Sequence, residues 1–147
     1  MKILVPIDGS KNSMEGLKVA SEMAASEKKA AIVLMTVVPY IPGMDLEISA
    51  NEMEGLTTGM KHRGEELLEK AKKIIERKGL SVKTVLLSTS VSAAEEILDV
   101  AEKEKVGLVV IGAHGLGGKA TRFFMGSVAW KVIRHAPCSV YVVKILS

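Results

Sequence analysis

Aromatic side chains are scarce in this sequence: Phe, Trp and Tyr together make up 3% of 147 residues. The core must then be built from Val, Ile, Leu, Ala and Met, and a nucleic-acid surface of stacked bases lacks its platforms. A single cysteine, Cys138, excludes an internal disulfide and a cysteine metal cluster, and fits a reducing compartment. No apolar run approaches the ~18 residues of a membrane span, so no membrane partner is expected. Neither sign of charge dominates: the net charge is +3, with basic and acidic residues mixed along the chain, which argues against nucleic acid as a partner. The first apolar run begins within two residues of Met1, leaving no room for a signal peptide, and a cytoplasmic protein is expected. There is no Ser-His-Asp set, no paired carboxylates in a defined pocket and no metal-ligand spacing. No catalytic residue and no protein metal ligand is therefore assigned.

What the sequence does have is concentrated in residues 108–127, LVVIGAHGLGGKATRFFMGS. An apolar strand breaks at Gly112 into a loop holding Gly112, Gly115, Gly117 and Gly118, and a helical pattern resumes at Gly126-Ser127. Strand, glycine loop and helix N-terminus is the order of parts that binds phosphate. Glycines let backbone N–H groups approach an anion, and the helix start adds unpaired N–H groups and the positive end of its dipole. The arrangement is neither the dinucleotide fingerprint, which follows a first strand, nor a Walker loop, since Gly118 stands where Lys is required. Lys119 and Arg122 either pair with phosphate oxygens or are solvated loop charges. Asp8, closing the first strand, either meets a ribose, base amine or phosphate-bound metal, or is a turn aspartate supporting Ser10. His114 either contacts a phosphate or, the favoured reading, is a loop histidine facing water; Cys138 reads as a buried structural thiol, and His62 and His135 as surface residues.

Around this stretch, strands and helices alternate. Residues 2–7 (KILVPI) read as a buried strand and Asp8-Gly9-Ser10 as a turn whose serine caps a helix to about Glu27. Residues 30–38 form a second strand. Residues 39–59, rich in Pro and Gly, read as a loop, with a short helix as the alternative and a flap or a plain connection as its role. A helix follows from about Met60 to Lys78, stopped by Gly79, with Glu66–Lys70 and Glu69–Lys73 as favourable pairs. A third strand covers 82–88. Ser92-Ala-Ala-Glu95 is a capping box, starting a helix with Ala94, Ile97, Leu98 and Ala101 on its apolar face. A fourth strand covers 107–112, and a last helix ends at Pro137. The last strand runs from Ser139 to Leu146. This order predicts a single three-layer α/β domain over residues 1–147, with a five-stranded parallel sheet covered by helices on both faces, Rossmann-like. Ligands in such sheets bind beyond the C-terminal strand ends at the switch point.

Three blocks, VPIDGS at the start, VVIGAHG before the loop and GSVAWKVIRHAPCSVYVV at the end, make the whole chain resemble the universal stress protein family, whose fold is adenine nucleotide alpha-hydrolase-like. The nucleotide-binding branch carries G-x2-G-x9-G-[S/T]. Gly112 and Gly115 match the first pair, and Gly126-Ser127 the last. Ten residues, 116–125, separate them here instead of nine, and the extra residue either bulges outward or fills the phosphate site. Gly107 stands where the family often has aspartate, and Val91 and Ala93 near where glycine and proline are frequent. The resemblance implies ATP or AMP as the ligand, with Mg²⁺ or Mn²⁺ accompanying a triphosphate. Pro6 and Asp8 would lie at the ribose and adenine end, and Val37 would meet the adenine edge through its backbone. Gly112 and Gly115 would pass under the ribose and first phosphates. Gly126, Ser127 and Val128 would hold the outer phosphates through N–H groups and the Ser127 hydroxyl. It further implies a homodimer formed through the last strand, an unnamed protein partner, and a sensor or regulator of the stress response with slow ATP hydrolysis at most. The other reading is an interaction module of the same fold that binds no nucleotide. An ATP pyrophosphatase-type ligase ranks last, because residues 7–10, IDGS, lack the S-G-G-x-D-S loop.

Overall fold

In β1 (Lys2–Pro6), four of five residues are buried, as expected of a strand covered on both faces. A computed structural model describes residues 1–39, 50–116 and 125–145. After β1 come α1 (Lys11–Ala25), β2 (Ala31–Pro39), α2 (Ala50–Glu76), β3 (Ser81–Thr89), α3 (Ala93–Lys103), β4 (Leu108–Gly112), α4 (Ser127–His135) and β5 (Ser139–Val143). The sheet is parallel throughout, in the order β3-β2-β1-β4-β5.

Two cores form, one on each face. Ile3, Val5, Ile32 and Leu34 point to the α1–α2 side, against Leu17, Ala20, Leu68, Ala71 and Ile75. The alternate residues Leu4, Val33 and Met35 point to the α3–α4 side, against Ala94, Ile97, Ala101 and Val132. This is the period-2 parity of a strand meeting the period-3.6 stripe of a helix. The chain moves outward from β1 through β2 to β3, then crosses to β4 and β5. Between β1 and β4 the ladder is short, pairing Ile3 with Leu108 and Leu4 with Val109. Beyond those pairs, at the C-terminal ends of both strands, lies the switch-point crevice.

Several boundaries differ from those the sequence predicts. α2 begins at Ala50 rather than near Met60, so residues 50–59 are helical and not loop. Gly55 and Gly59 suggested a break, but a glycine costs a helix only about 1 kcal/mol, and Glu52, Glu54 and Leu56 favour the helix. Residues 40–49, the rest of that expected loop, lie outside the described residues. Along α2, Lys72 Nζ lies 3.7 Å from Glu76 and His62 Nε2 lies 2.9 Å from Glu66, rather than the expected Glu66–Lys70 and Glu69–Lys73 pairs. α1 stops at Ala25, two residues early, where Ser26 N–H bonds back to Glu22 and Met23. β5 ends at Val143 because its partner β4 ends at Gly112, the residue opposite. The expected stops and starts hold elsewhere. Gly79 is left-handed (φ 74°) after α2, and the Ser92–Glu95 box closes in both directions (3.2 and 3.3 Å).

Candidate functional site

The turn after β1 is held by its own side chains. Gly9 adopts φ +85°, a left-handed value that L side chains resist. Asp8 Oδ1 accepts the Ser10 N–H (2.9 Å), closing the turn. Ser10 then caps α1, its Oγ accepting the Ser13 N–H (3.2 Å). Ser13 Oγ donates to the Ser10 carbonyl (3.0 Å) and accepts the Asp8 N–H (3.3 Å). Buried Thr36 on β2 donates to the Ile7 carbonyl (2.7 Å), so the end of β1 is fixed from both sides.

The loop after β4 is laid against this turn. A Cβ on Gly112 would lie 2.9 Å from Asn12 Cβ and 3.0 Å from the backbone at Asn12 and Ser13. Gly112 therefore admits the first turn of α1. Ala113 N–H donates to the Val143 carbonyl (2.8 Å), and Ser10 Oγ to the His114 carbonyl (3.5 Å). His114 is 3% exposed, so the expectation of a water-facing histidine is overturned. The loop turns inward at this point, and its side chain follows the backbone into the protein. Leu116 N–H donates to Asp8 Oδ2 (3.2 Å). Gly126 N–H is taken by the Ala113 carbonyl (2.8 Å), so it is not one of the donors expected for a phosphate. The first bond within α4 runs from Trp130 N–H to the Gly126 carbonyl (3.0 Å). Ser127, Val128 and Ala129 precede it, and their N–H groups have no partner within the helix.

These segments enclose a cavity of ≈ 360 Å³ at the C-terminal ends of β1 and β4. Pro6, Asp8, Val37, Gly112, Gly115, Gly126, Ser127 and Val128, the eight residues singled out from the sequence, all line it. One part of the wall is apolar, with Met35, Val37, Ile97 and Ile111; another is polar, with Asp8, Ser13, His114 and Ser127. The sequence reading missed Met35, Ile97 and Ile111, which look like any core residue. Strand parity gives a signal for one of them, since Met35 stands two residues from Val37 and faces the same side. It also missed Ala129, which a count of the first helical N–H groups supplies. Lys119, Arg122, Gly117 and Gly118, and most of the ten-residue spacing, lie outside the described residues. Among the described residues, no group of three His, Cys, Asp or Glu side chains is placed to hold a metal ion. Cys138 is half-buried rather than fully buried and packs on the α3–α4 core. Burial pushes its thiol above the ordinary range, against a smaller opposing effect of a backbone hydrogen bond with Val109. His62 and His135 are exposed, as expected.

The chain matches the model of the Universal stress protein family over residues 1–144. It is 38% identical over 143 residues to the universal stress protein MJ0531 of Methanocaldococcus jannaschii, covering 97% of this chain and 81% of that one. Its fold is similar to the solved universal stress protein UspA of Lactobacillus plantarum, with TM-score 0.81, 22% identity, and 98% and 97% of the two chains covered. It is also similar to that of the universal stress protein of Archaeoglobus fulgidus in complex with dAMP, with TM-score 0.67, 24% identity and 98% of both chains covered. Other similar structures are of family members with AMP bound or in complex with cAMP.

Proposed function

The chain belongs to the universal stress protein family, and from that premise we propose that it binds an adenine nucleotide, ATP or AMP, in the cavity between β1 and β4. The single observation carrying this reading is the convergence of eight residues from separate segments on one cavity of ≈ 360 Å³. That volume falls within the roughly 300–1,000 Å³ of small-ligand sites. Relatives of the same fold with AMP, dAMP or cAMP add support. The apolar wall of Met35, Val37 and Ile97 suits a purine ring, with the Val37 backbone at its edge and Pro6 beside it. Asp8 and Ser13 stand at the ribose. Gly112 and Gly115 form the floor toward the phosphates. The N–H groups of Ser127, Val128 and Ala129, with the Ser127 hydroxyl, face the anionic tail, helped by the helix dipole. A triphosphate brings Mg²⁺ or Mn²⁺ with it, held chiefly by its own oxygens.

On this reading the protein is a cytoplasmic stress-response sensor or regulator that works by binding, with ATP hydrolysis slow at most. It acts as a homodimer joined through β5, the edge strand beyond β4, and offers a surface to a protein partner. Equilibrium dialysis against labelled ATP and AMP at millimolar Mg²⁺ tests the nucleotide. Saturable binding is expected, with a loss of at least roughly tenfold in Ser127→Asp. A carboxylate in the first turn suits the helix dipole, so the fold stands while the phosphate is repelled. Absence of saturable binding in the wild type discards the reading in favour of an interaction module that binds no nucleotide, to which the longer glycine-loop spacing also points.

A further inference from the structure

Asp8 is exposed, yet both of its carboxylate oxygens are engaged. Oδ1 accepts the Ser10 N–H within its own turn (2.9 Å), and Oδ2 accepts the Leu116 N–H from a loop 108 residues further on (3.2 Å). A Cβ built on Gly115 would lie 2.8 Å from that same Oδ2. Among the described residues, no other heavy atom comes within 4 Å of it, Gly115's chain neighbours aside. The open space at Gly115 is thus filled by the Asp8 carboxylate. We infer that Asp8 is a positioning residue: its carboxylate latches the glycine loop at Leu116 to the start of α1, and Gly115 is glycine so that this latch can close. A second tie, Ser10 Oγ to the His114 carbonyl, is longer (3.5 Å) and joins two neutral groups. The charge-assisted bond from Asp8 is the stronger of the two.

The latch matters to the cavity because Asp8 and Gly115, the residue just before Leu116, both line it. Gly126 bonds back to Ala113 in the same loop. Fixing Leu116 fixes the loop from Gly112 to Leu116, so a ligand meets a floor already in place and does not spend binding free energy ordering it. This consequence rests on the nucleotide reading; the latch itself does not.

Asp8→Asn is close to isosteric. Its remaining oxygen still accepts the Ser10 N–H, but an NH₂ then faces the Leu116 N–H, donor against donor. Amide hydrogen exchange of the ligand-free protein, read by NMR, is expected to speed at Leu116 by roughly five- to tenfold in Asp8→Asn, with the Ser10 and Ser13 amides unchanged. Gly115→Ala, which crowds Oδ2, is expected to speed it similarly. Affinity for AMP or ATP is expected to fall by roughly five- to tenfold in either variant, and no further in the double variant, because both break one interaction. Unchanged exchange at Leu116 in Asp8→Asn overturns the latch. Faster exchange with multiplying losses of affinity overturns the positioning role, because the two residues then act on the ligand independently. If the wild type binds neither nucleotide, the nucleotide reading fails, and exchange alone still decides the latch. If Gly115→Ala does not fold, the exchange rate and affinity of Asp8→Asn decide.

Discussion

At the scale of single residues, the site is shaped by atoms that are missing as much as by those present. Gly112 is the clearest case. A methyl group there would press on the backbone of Asn12 and Ser13 at 3.0 Å, and backbone cannot rotate aside as a side-chain end can. Gly112→Ala is expected to destabilise the fold by about 1–3 kcal/mol, the usual range for overpacking, read as a lower urea midpoint. An unchanged midpoint would show that α1 is free to move away. The sequence marked Gly112 for its place in a phosphate-binding pattern. Its contact with α1 was not legible there, because the two segments lie about a hundred residues apart. The same holds for His114. A histidine among glycines reads as surface, and only the inward turn of the loop buries it.

At the scale of elements, α2 contains three glycines with opposite consequences. Among the described residues, Gly55 and Gly59 have nothing within 4 Å of where a Cβ would stand. Gly64 would place one 2.9 Å from Leu86 Cδ1 and 2.9 Å from Val38 Cγ2. Gly55→Ala and Gly59→Ala are each expected to raise stability by about 0.5–1 kcal/mol through helix propensity alone. Gly64→Ala is expected to lower it by about 1–3 kcal/mol through crowding against β2 and β3. Thermal unfolding of the three variants checks this; a lower melting temperature in the first two would mean that residues 50–59 are not helical in solution. The sequence pattern placed the C-terminal part of α2, where Leu68, Ala71 and Ile75 form a buried stripe. Its N-terminal part was not legible. Leu56, one of its few large apolar residues, is 50% exposed, so no periodicity advertises the helix.

At the scale of the whole molecule, two features lie at opposite places on the sheet. At the N-terminal strand ends, Lys83 of β3 and Lys2 of β1 converge on Glu104, the residue that caps α3; Lys2 Nζ is 3.3 Å from its carboxylate. First Lys83 and then Lys2 hold the Glu104 carboxyl below its ordinary range, against a smaller effect of burial. A carboxylate whose pKa is lowered by folding contributes stability above its ordinary pKa and loses it as pH falls through the lowered value. The wild type is therefore expected to exceed Glu104→Gln in urea midpoint at neutral pH, with the gap closing in acid. The gap is small and shrinks with salt, because both lysines are exposed and Glu104 is only half-buried. A gap independent of pH would remove the ion pairs as its cause. At the other feature, the β5 edge, Tyr141 is 45% exposed, and on neighbouring α4 Trp130 is 54% exposed with the Arg134 guanidinium 5.7 Å from its ring centre. Under the dimer proposal, sedimentation is expected to give twice the mass of one 15.7 kDa chain. Tyr141→Lys, a charge of the kind that blunts strand edges, is expected to return it to one. A wild type that sediments as a single chain discards the dimer.

The alternation of apolar strands with amphipathic helices was enough, from the sequence alone, to fix a parallel sheet with two covered faces and to point at the loops after β1 and β4. Those features arise from local periodicity and from the one-handed geometry of crossovers, both of which are written in neighbouring residues. What only the tertiary structure decided is which groups remain available where those loops meet. Gly126 gives its N–H to Ala113, Asp8 gives an oxygen to Leu116, and Met35, Ile97 and Ile111 turn from core into cavity wall. Each of these depends on contacts between segments far apart in the chain, and no local pattern of residue types encodes the distance between them.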